Sequence, residues 1–92
     1  MVFVYMMANV SPLSQAIVLE HVNYLRELDA KGELILCGPF ADYPGGMVVI
    51  ECETREDAII RAERDPFIAS GAKSYELRTL DVANQANDYG LA

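Results

Sequence analysis

Residues 2–8 (VFVYMMA) hold no charged or strongly polar position and no breaker, so apolar side chains fill both faces of the strand they predict. Phe3, Tyr5 and Met7 point one way, and Val2, Val4 and Met6 the other. Ser11-Pro12 then offers an N-cap followed by proline at the first helical position, where its missing N–H is not needed. Leu13, Ile17, Tyr24 and Leu28, with Ala16 and Leu25, recur at helical spacing as far as Ala30, and Gly32 stands where a left-handed residue closes a helix. The pattern predicts a first helix over 12–30.

Two short apolar runs follow. Glu33 to Cys37 ends at Gly38-Pro39, and Met47 to Cys52 is opened by Pro44-Gly45-Gly46, which together suggest a hairpin with a long connection closed near Asp42. Thr54 with Asp57 resembles a capping box ahead of Ala58, Ile59 and Ala62, so a second helix is expected over 55–64. It must stop there, because Pro66 disfavours helical geometry at Asp65. After a turn over Phe67 to Gly71, the segment Ser74 to Leu80 sets Tyr75, Leu77 and Thr79 against Ser74, Glu76 and Arg78, the alternation of a half-exposed strand. The order β-α-β-β-α-β is that of an α+β, ferredoxin-like fold, a four-stranded antiparallel sheet with two helices on one face. Since the first strand is apolar on both sides, the uncovered face is expected to bury against a second copy, making a homodimer.

Composition narrows the function classes. Ninety-two residues make one domain, read as 1–80 with an acidic tail over 81–92, whose Tyr89 and Leu91 are expected, if ordered, to dock on a neighbouring subunit or beside a pocket. A net charge of −7 repels phosphate, so nucleic acid is not expected as a partner. No apolar run reaches the roughly 20 residues that span a bilayer and no basic n-region opens the chain, so no membrane is expected and the expected location is cytoplasmic. Cys37 and Cys52 form no CxxC and are read as two reduced, buried thiols.

The single histidine, His21, lies inside the apolar stripe of the first helix, four residues after Ile17 and seven before Leu28, and should point at the sheet. It is either a core imidazole satisfied by a carbonyl or half of a catalytic pair. Asp65 is its best partner, because the end of the second helix is where a carboxylate meets the unfavourable pole of the dipole. Alternatively, an Asp before Pro starts a turn by accepting a backbone N–H two residues on. Two helices on one sheet face bring these positions near each other, and a carboxylate beside an imidazole fixes one tautomer for proton transfer near neutral pH. In the Gly38–Gly46 connection, Gly38, Gly45 and Gly46 allow close backbone approach while Pro39, Phe40 and Tyr43 offer flat apolar surface, either as a pocket wall or as an ordinary hairpin loop. Phe67 is a pocket floor or plain core, and Tyr5 and Tyr75 lie on strands, where most tyrosines serve packing. No metal spacing, nucleotide loop or GxSxG elbow is present, so no metal and no cofactor is expected.

His21 with Tyr24-Leu25, the following Gly32 and Leu34, Gly38-Pro39, Gly45-Gly46, and Asp65-Pro66-Phe67 with Gly71 resemble the YCII-related family across residues 2–80. The resemblance implies a ferredoxin-like fold that dimerises through its sheets into a dimeric α+β barrel, with active-site residues on His21 and Asp65. One branch of that family is a dehydrochlorinase that removes HCl from a chlorinated hydroxyhydroquinone in aromatic degradation. The expectation is a cofactor-free lyase or isomerase acting on a small cyclic or phenolic substrate, with Gly38, Pro39, Phe40, Tyr43, Gly46 and Phe67 forming its pocket. The alternative is a non-catalytic metabolite-binding or accessory dimerisation module.

Overall fold

Every helix and strand expected from the pattern forms, α2 with the expected ends and the others with shifts, in the computed structural model, which describes residues 1–91: β1 (Val2–Asn9), α1 (Gln15–Ala30), β2 (Leu34–Pro39), β3 (Gly46–Glu51), α2 (Arg55–Arg64), α3 (Pro66–Ala69) and β4 (Lys73–Leu80). A 3₁₀ segment over Gln85–Gly90 follows. The antiparallel sheet has the order β2-β3-β1-β4, so the strand with two apolar faces occupies an interior position. On its inner face Tyr5 lies between Val48 and Leu77, and Phe3 between Ile50 and Thr79. Phe3, Tyr5, Val48 and Ile50 are fully buried and form one core cluster with Leu28 of α1, Ala58 and Ala62 of α2, and Phe67 of α3, which places the helices over the same face. Each large side chain of this kind contributes about 1.5–3 kcal/mol by leaving water.

Alanine at both buried positions of α2 lets that helix lie close to the sheet. Thr54 caps it by accepting the Asp57 N–H at 3.1 Å, and it ends at Arg64, before Asp65-Pro66. The first helix starts later than expected. The N–H groups of Val10 and Ser11 both donate to the Ala72 carbonyl, at 3.0 and 3.1 Å, tying the chain after β1 to the start of β4 and holding Ser11-Pro12 out of the helix. Ser14 is the cap instead, accepting from Ile17 N–H at 3.1 Å. The turn expected at Phe67–Gly71 contains a single helical turn, α3. An irregularity between Leu34 and Leu36 shifts β2, so Cys37 faces Val48, one residue beyond the Met47 that a hairpin closed at Asp42 sets opposite it. Both cysteines are free; Cys52 is buried, whereas Cys37 is exposed because it sits on an edge strand.

Among the described residues no α-helix covers the outer face. There Val2 and Val4 are half-buried, Met6, Leu36 and Leu80 are exposed, and Glu76 pairs with Arg78 along the β4 edge at 2.7 Å. Of the tail expected over 81–92, Ala92 lies outside the described residues. The rest folds on itself: Asn84 and Asn87 bond each other's backbone N–H, and Tyr89 donates its N–H to the Asn84 carbonyl. Tyr89 and Leu91 are exposed, so within one chain they do not dock beside a pocket.

The β2–β3 connection passes tightly under β1. Gly45 has φ +97°, and a Cβ there would overlap the Met7 carbonyl oxygen; a Cβ on Gly46 would lie 2.6 Å from the Gly38 carbonyl oxygen. Gly38 has nothing within 4 Å of an added Cβ. Gly45→Ala and Gly46→Ala should each therefore cost on the order of 1–3 kcal/mol in denaturant unfolding, and Gly38→Ala less than about 1 kcal/mol. Equal losses at Gly38 and Gly45 would contradict this packing.

Candidate functional site

Pro66 ends α2 by steric conflict with the residue before it, which makes Asp65 at once the C-cap of α2 and the N-cap of α3. Its Oδ1 accepts the Phe67 N–H at 3.0 Å, the turn-starting role open to any Asp before Pro. The same carboxylate lies 2.7 Å from His21 Nδ1, so the local role and the pairing role coexist. Its Oδ2 accepts the Tyr5 hydroxyl at 2.7 Å. Asp65 is thus fully buried, at 0% exposure, yet every hydrogen bond it needs is supplied, by β1, α1 and α3. A carboxylate offers acceptors only, so in the neutral ring Nδ1 carries the hydrogen and Nε2 keeps its lone pair.

His21 is 9% exposed and lies flat against Phe67, ring centroids 3.8 Å apart and planes 10° from parallel. Its Nε2 makes no hydrogen bond, and no fully buried side-chain polar atom is left without a partner among the described residues, so Nε2 keeps open surface. His21 lines a cavity of about 380 Å³ between α1 and the β2–β3 strands. Leu13, Val18, Val22 and Leu25 form its helical side. Asp65 and Tyr5 are not in its wall and stand behind the imidazole.

The structure brings together Gly38, Pro39, Gly46 and Phe67 around this cavity, as the sequence suggested. Phe40 and Tyr43 stay outside it. The Phe40 N–H donates to the Gly45 carbonyl at 2.9 Å, which closes the connection into a loop, and Tyr43 is 73% exposed at its tip. Two residues that matter were missed. Tyr5 holds the far oxygen of Asp65; burial, and after it the Asp65 charge, push its phenol far above the ordinary value of 10.0, so it remains a donor. Its inward phase on β1 was legible, its partner was not. Lys73 lines the cavity with its Nζ 4.6 Å from the centre of the Phe67 ring; its place at the head of an alternating strand put it on the inner face, an unusual position for a lysine.

The surrounding contacts stiffen this arrangement. Tyr24 donates its hydroxyl to the Arg61 carbonyl at 2.7 Å, joining α1 to α2, and its phenol is pushed up to about 12, by burial first and then by Asp65. Arg61 pairs with Glu33 at 2.8 Å, joining α2 to the start of β2 and holding the Glu33 carboxyl below its ordinary value. The Cys37 thiol, also on the cavity wall, is pushed up by partial burial and by the Asp29 and Asp65 charges, which argues against a thiolate nucleophile. Among the described residues no helix is long and apolar enough to cross a membrane.

Comparison with known proteins agrees with this geometry at the level of fold. The uncharacterized protein YjpA of Bacillus subtilis (strain 168) is 35% identical over 65 residues, covering 71% of this chain and 76% of that protein. Among solved structures, the 5-chloro-2-hydroxyhydroquinone dehydrochlorinase TftG of Burkholderia phenoliruptrix, in complex with 2,5-dihydroxybenzoquinone, superposes with a TM-score of 0.69 at 19% identity, covering 96% of this chain and all of that one. Muconolactone isomerase superposes with a TM-score of 0.75 at 13% identity, covering 92% and 93%. At such identities these two matches establish the shared α+β fold and nothing finer. The sequence model of the YCII-related domain matches residues 1–81, nearly the whole chain, and the protein belongs to that family.

Proposed function

We propose that the protein is a lyase or isomerase that moves protons on a small cyclic or phenolic molecule, with His21 as the acid–base group and Asp65 as the residue that positions it. The observation that carries this reading is the imidazole at the wall of an apolar cavity, its Nδ1 tied 2.7 Å from a buried carboxylate and its Nε2 open. Asp65 fixes the tautomer, Tyr5 and the Phe67 N–H fix Asp65, and stacking on Phe67 fixes the plane of the ring. An apolar wall excludes competing water from the proton transfer.

The activities of the two structural neighbours, a dehydrochlorinase and an isomerase, both need little more than such a proton relay. In elimination of HCl from a chlorinated hydroxyhydroquinone, Nε2 takes a ring hydroxyl proton and returns it to the carbon bearing chlorine, giving a keto tautomer. Loss of a second hydroxyl proton then forms the quinone as the C–Cl bond breaks and chloride leaves with the bonding pair. The net change is loss of HCl, with no external oxidant or reductant. In an isomerisation the same nitrogen takes a proton from one carbon and returns it to another.

The outer face of the sheet supports a homodimer reading: it presents Val2, Val4, Met6 and Leu36 with no helical cover among the described residues, and a second copy would bury it. Sedimentation at micromolar concentration should give twice the chain mass of 10.2 kDa. Removing residues 83–92 should leave ligand affinity unchanged, because no described tail residue lines the cavity, and any effect should fall on assembly. A monomer would end the dimer reading.

His21→Ala should lower kcat by roughly 10²–10⁴-fold, the usual worth of a positioned acid–base group. The assay is chloride release from 5-chloro-2-hydroxyhydroquinone or isomerisation of muconolactone. Asp65→Asn should cost less, because Asp65 does not reach the cavity. Full activity in His21→Ala on whichever substrate is turned over would overturn the mechanism. Tyr5→Phe leaves a buried carboxylate oxygen without its donor and should lower unfolding free energy by about 1–3 kcal/mol near neutral pH. Because the folded Tyr5 phenol titrates above the unfolded one, the stability it contributes is full below pH 10 and falls as pH rises past it. Tyr5→Phe should flatten that alkaline fall, leaving the contribution of Tyr24.

A further inference from the structure

Lys73 opens β4, pairs with Asn9 across the ladder, and points inward with Tyr75 and Leu77. Only 7% of the residue is exposed, so its ammonium does not reach bulk solvent by the usual extension of a long side chain. No carboxylate answers it. The ion pairs found among the described residues are those of the N-terminus with Glu51, His21 with Asp65, Arg61 with Glu33, and Arg78 with Glu76. Among the described residues its ammonium meets only the Phe67 ring face, at 4.6 Å. In a chain carrying fourteen acidic residues, a nearly buried lysine without an acid is an anomaly.

The cavity explains it. Lys73 and His21 both line that cavity, both rest on the ring of Phe67, and no Asp or Glu is part of the wall. The two ring contacts, at 3.8 Å for the imidazole and 4.6 Å for the ammonium, keep these groups within about 8 Å of each other, a span that one planar cyclic molecule with its ring oxygen can bridge in the cavity both line. Nζ makes no hydrogen bond and, as a side-chain nitrogen that is not fully enclosed, has donors to spare toward the space it lines. We infer that Lys73 is an oxyanion subsite, so that this cavity takes a planar cyclic compound carrying an organic oxyanion, which the Lys73 ammonium holds while the reacting position lies at His21 Nε2. The inference rests on the proton-transfer reading of the same cavity and narrows it to substrates that bring, or develop, a negative oxygen. A phenolate released by proton loss to His21 would be stabilised by Lys73 in surroundings where a charge-assisted bond is strong.

The test uses the intact protein and three probes: 4-nitrophenol, whose absorbance reports its ionisation, its neutral methyl ether 4-nitroanisole, and 4-nitrobenzoate. Wild type should bind 4-nitrophenol as the phenolate, shifting its ionisation midpoint downward relative to free probe, and roughly ten- to a hundredfold tighter than the ether. Lys73→Met, close in shape, should lose both the shift and the preference, and Lys73→Arg should keep them. The benzoate identifies the source of the oxyanion: affinity equal to that of the phenolate assigns the subsite to carboxylates as well, and weaker affinity confines it to phenolates. Equal binding of phenol and ether by wild type overturns the inference without any variant needing to fold. So does a Lys73→Met protein that retains the preference. Neither result touches the role of His21, which stands or falls on the turnover of His21→Ala.

Discussion

The Asp65 carboxylate is the point on which the rest of the structure is hung. It is fully buried, and a charge in that position is tolerated only when its oxygens are hydrogen-bonded. The donors come from β1, α1 and α3, so the sheet, the long helix and the turn after α2 must arrive together for any of them to be satisfied. Losing one donor leaves the others bound to an under-paired charge, which makes the cluster cooperative rather than a sum of separate bonds. The strand register that places Tyr5 between Val48 and Leu77 is therefore also the register that orients His21.

Around that point the chain spends its smallest residues where elements must come close. Ala58 and Ala62 bring α2 down on the sheet, and so bring Asp65 at its end within reach of Tyr5. Gly45 and Gly46 let the β2–β3 connection pass against the Met7 and Gly38 carbonyls, which leaves the cavity bounded by Pro39 and Gly46 without a side chain filling it. Phe67 joins the two halves of the site, since its N–H holds Asp65, its ring supports the imidazole, and the same ring meets Lys73. A cavity with an apolar helical side, one imidazole and one ammonium suits proton transfer on a molecule whose product of deprotonation is an anion.

Much of this was legible along the chain because it depends on local rules. The phase of His21 within a helical stripe, the forced stop at Asp65-Pro66, the Thr54 cap and the alternation of β4 all follow from spacing and backbone sterics between near neighbours. The inward phase of Phe3, Tyr5 and Met7 followed from the period of two, and the short motifs around His21, Gly38-Pro39 and Asp65-Pro66-Phe67 carried the family resemblance that the domain match bears out.

What tertiary structure alone decided was which local signals would prevail and which distant groups would meet. Ser11-Pro12 satisfies every local rule for a helix start, but the Ala72 carbonyl captures the N–H groups of Val10 and Ser11 and moves the start to Ser14. Phe40 and Tyr43 look like pocket residues in a glycine-rich connection, and a single bond from Phe40 N–H to Gly45 turns them outward. Tyr5 reads as core until Asp65 arrives under it from sixty residues away, and Lys73 reads as a strand end until its partnerless ammonium is seen over Phe67. The sequence by itself determined the elements and their faces, because those are set by period and sterics within a few residues. The depth and partners of Tyr5, Asp65 and Lys73 belong to the fold, because hydrogen bonds and burial between distant segments exist only once the sheet has closed.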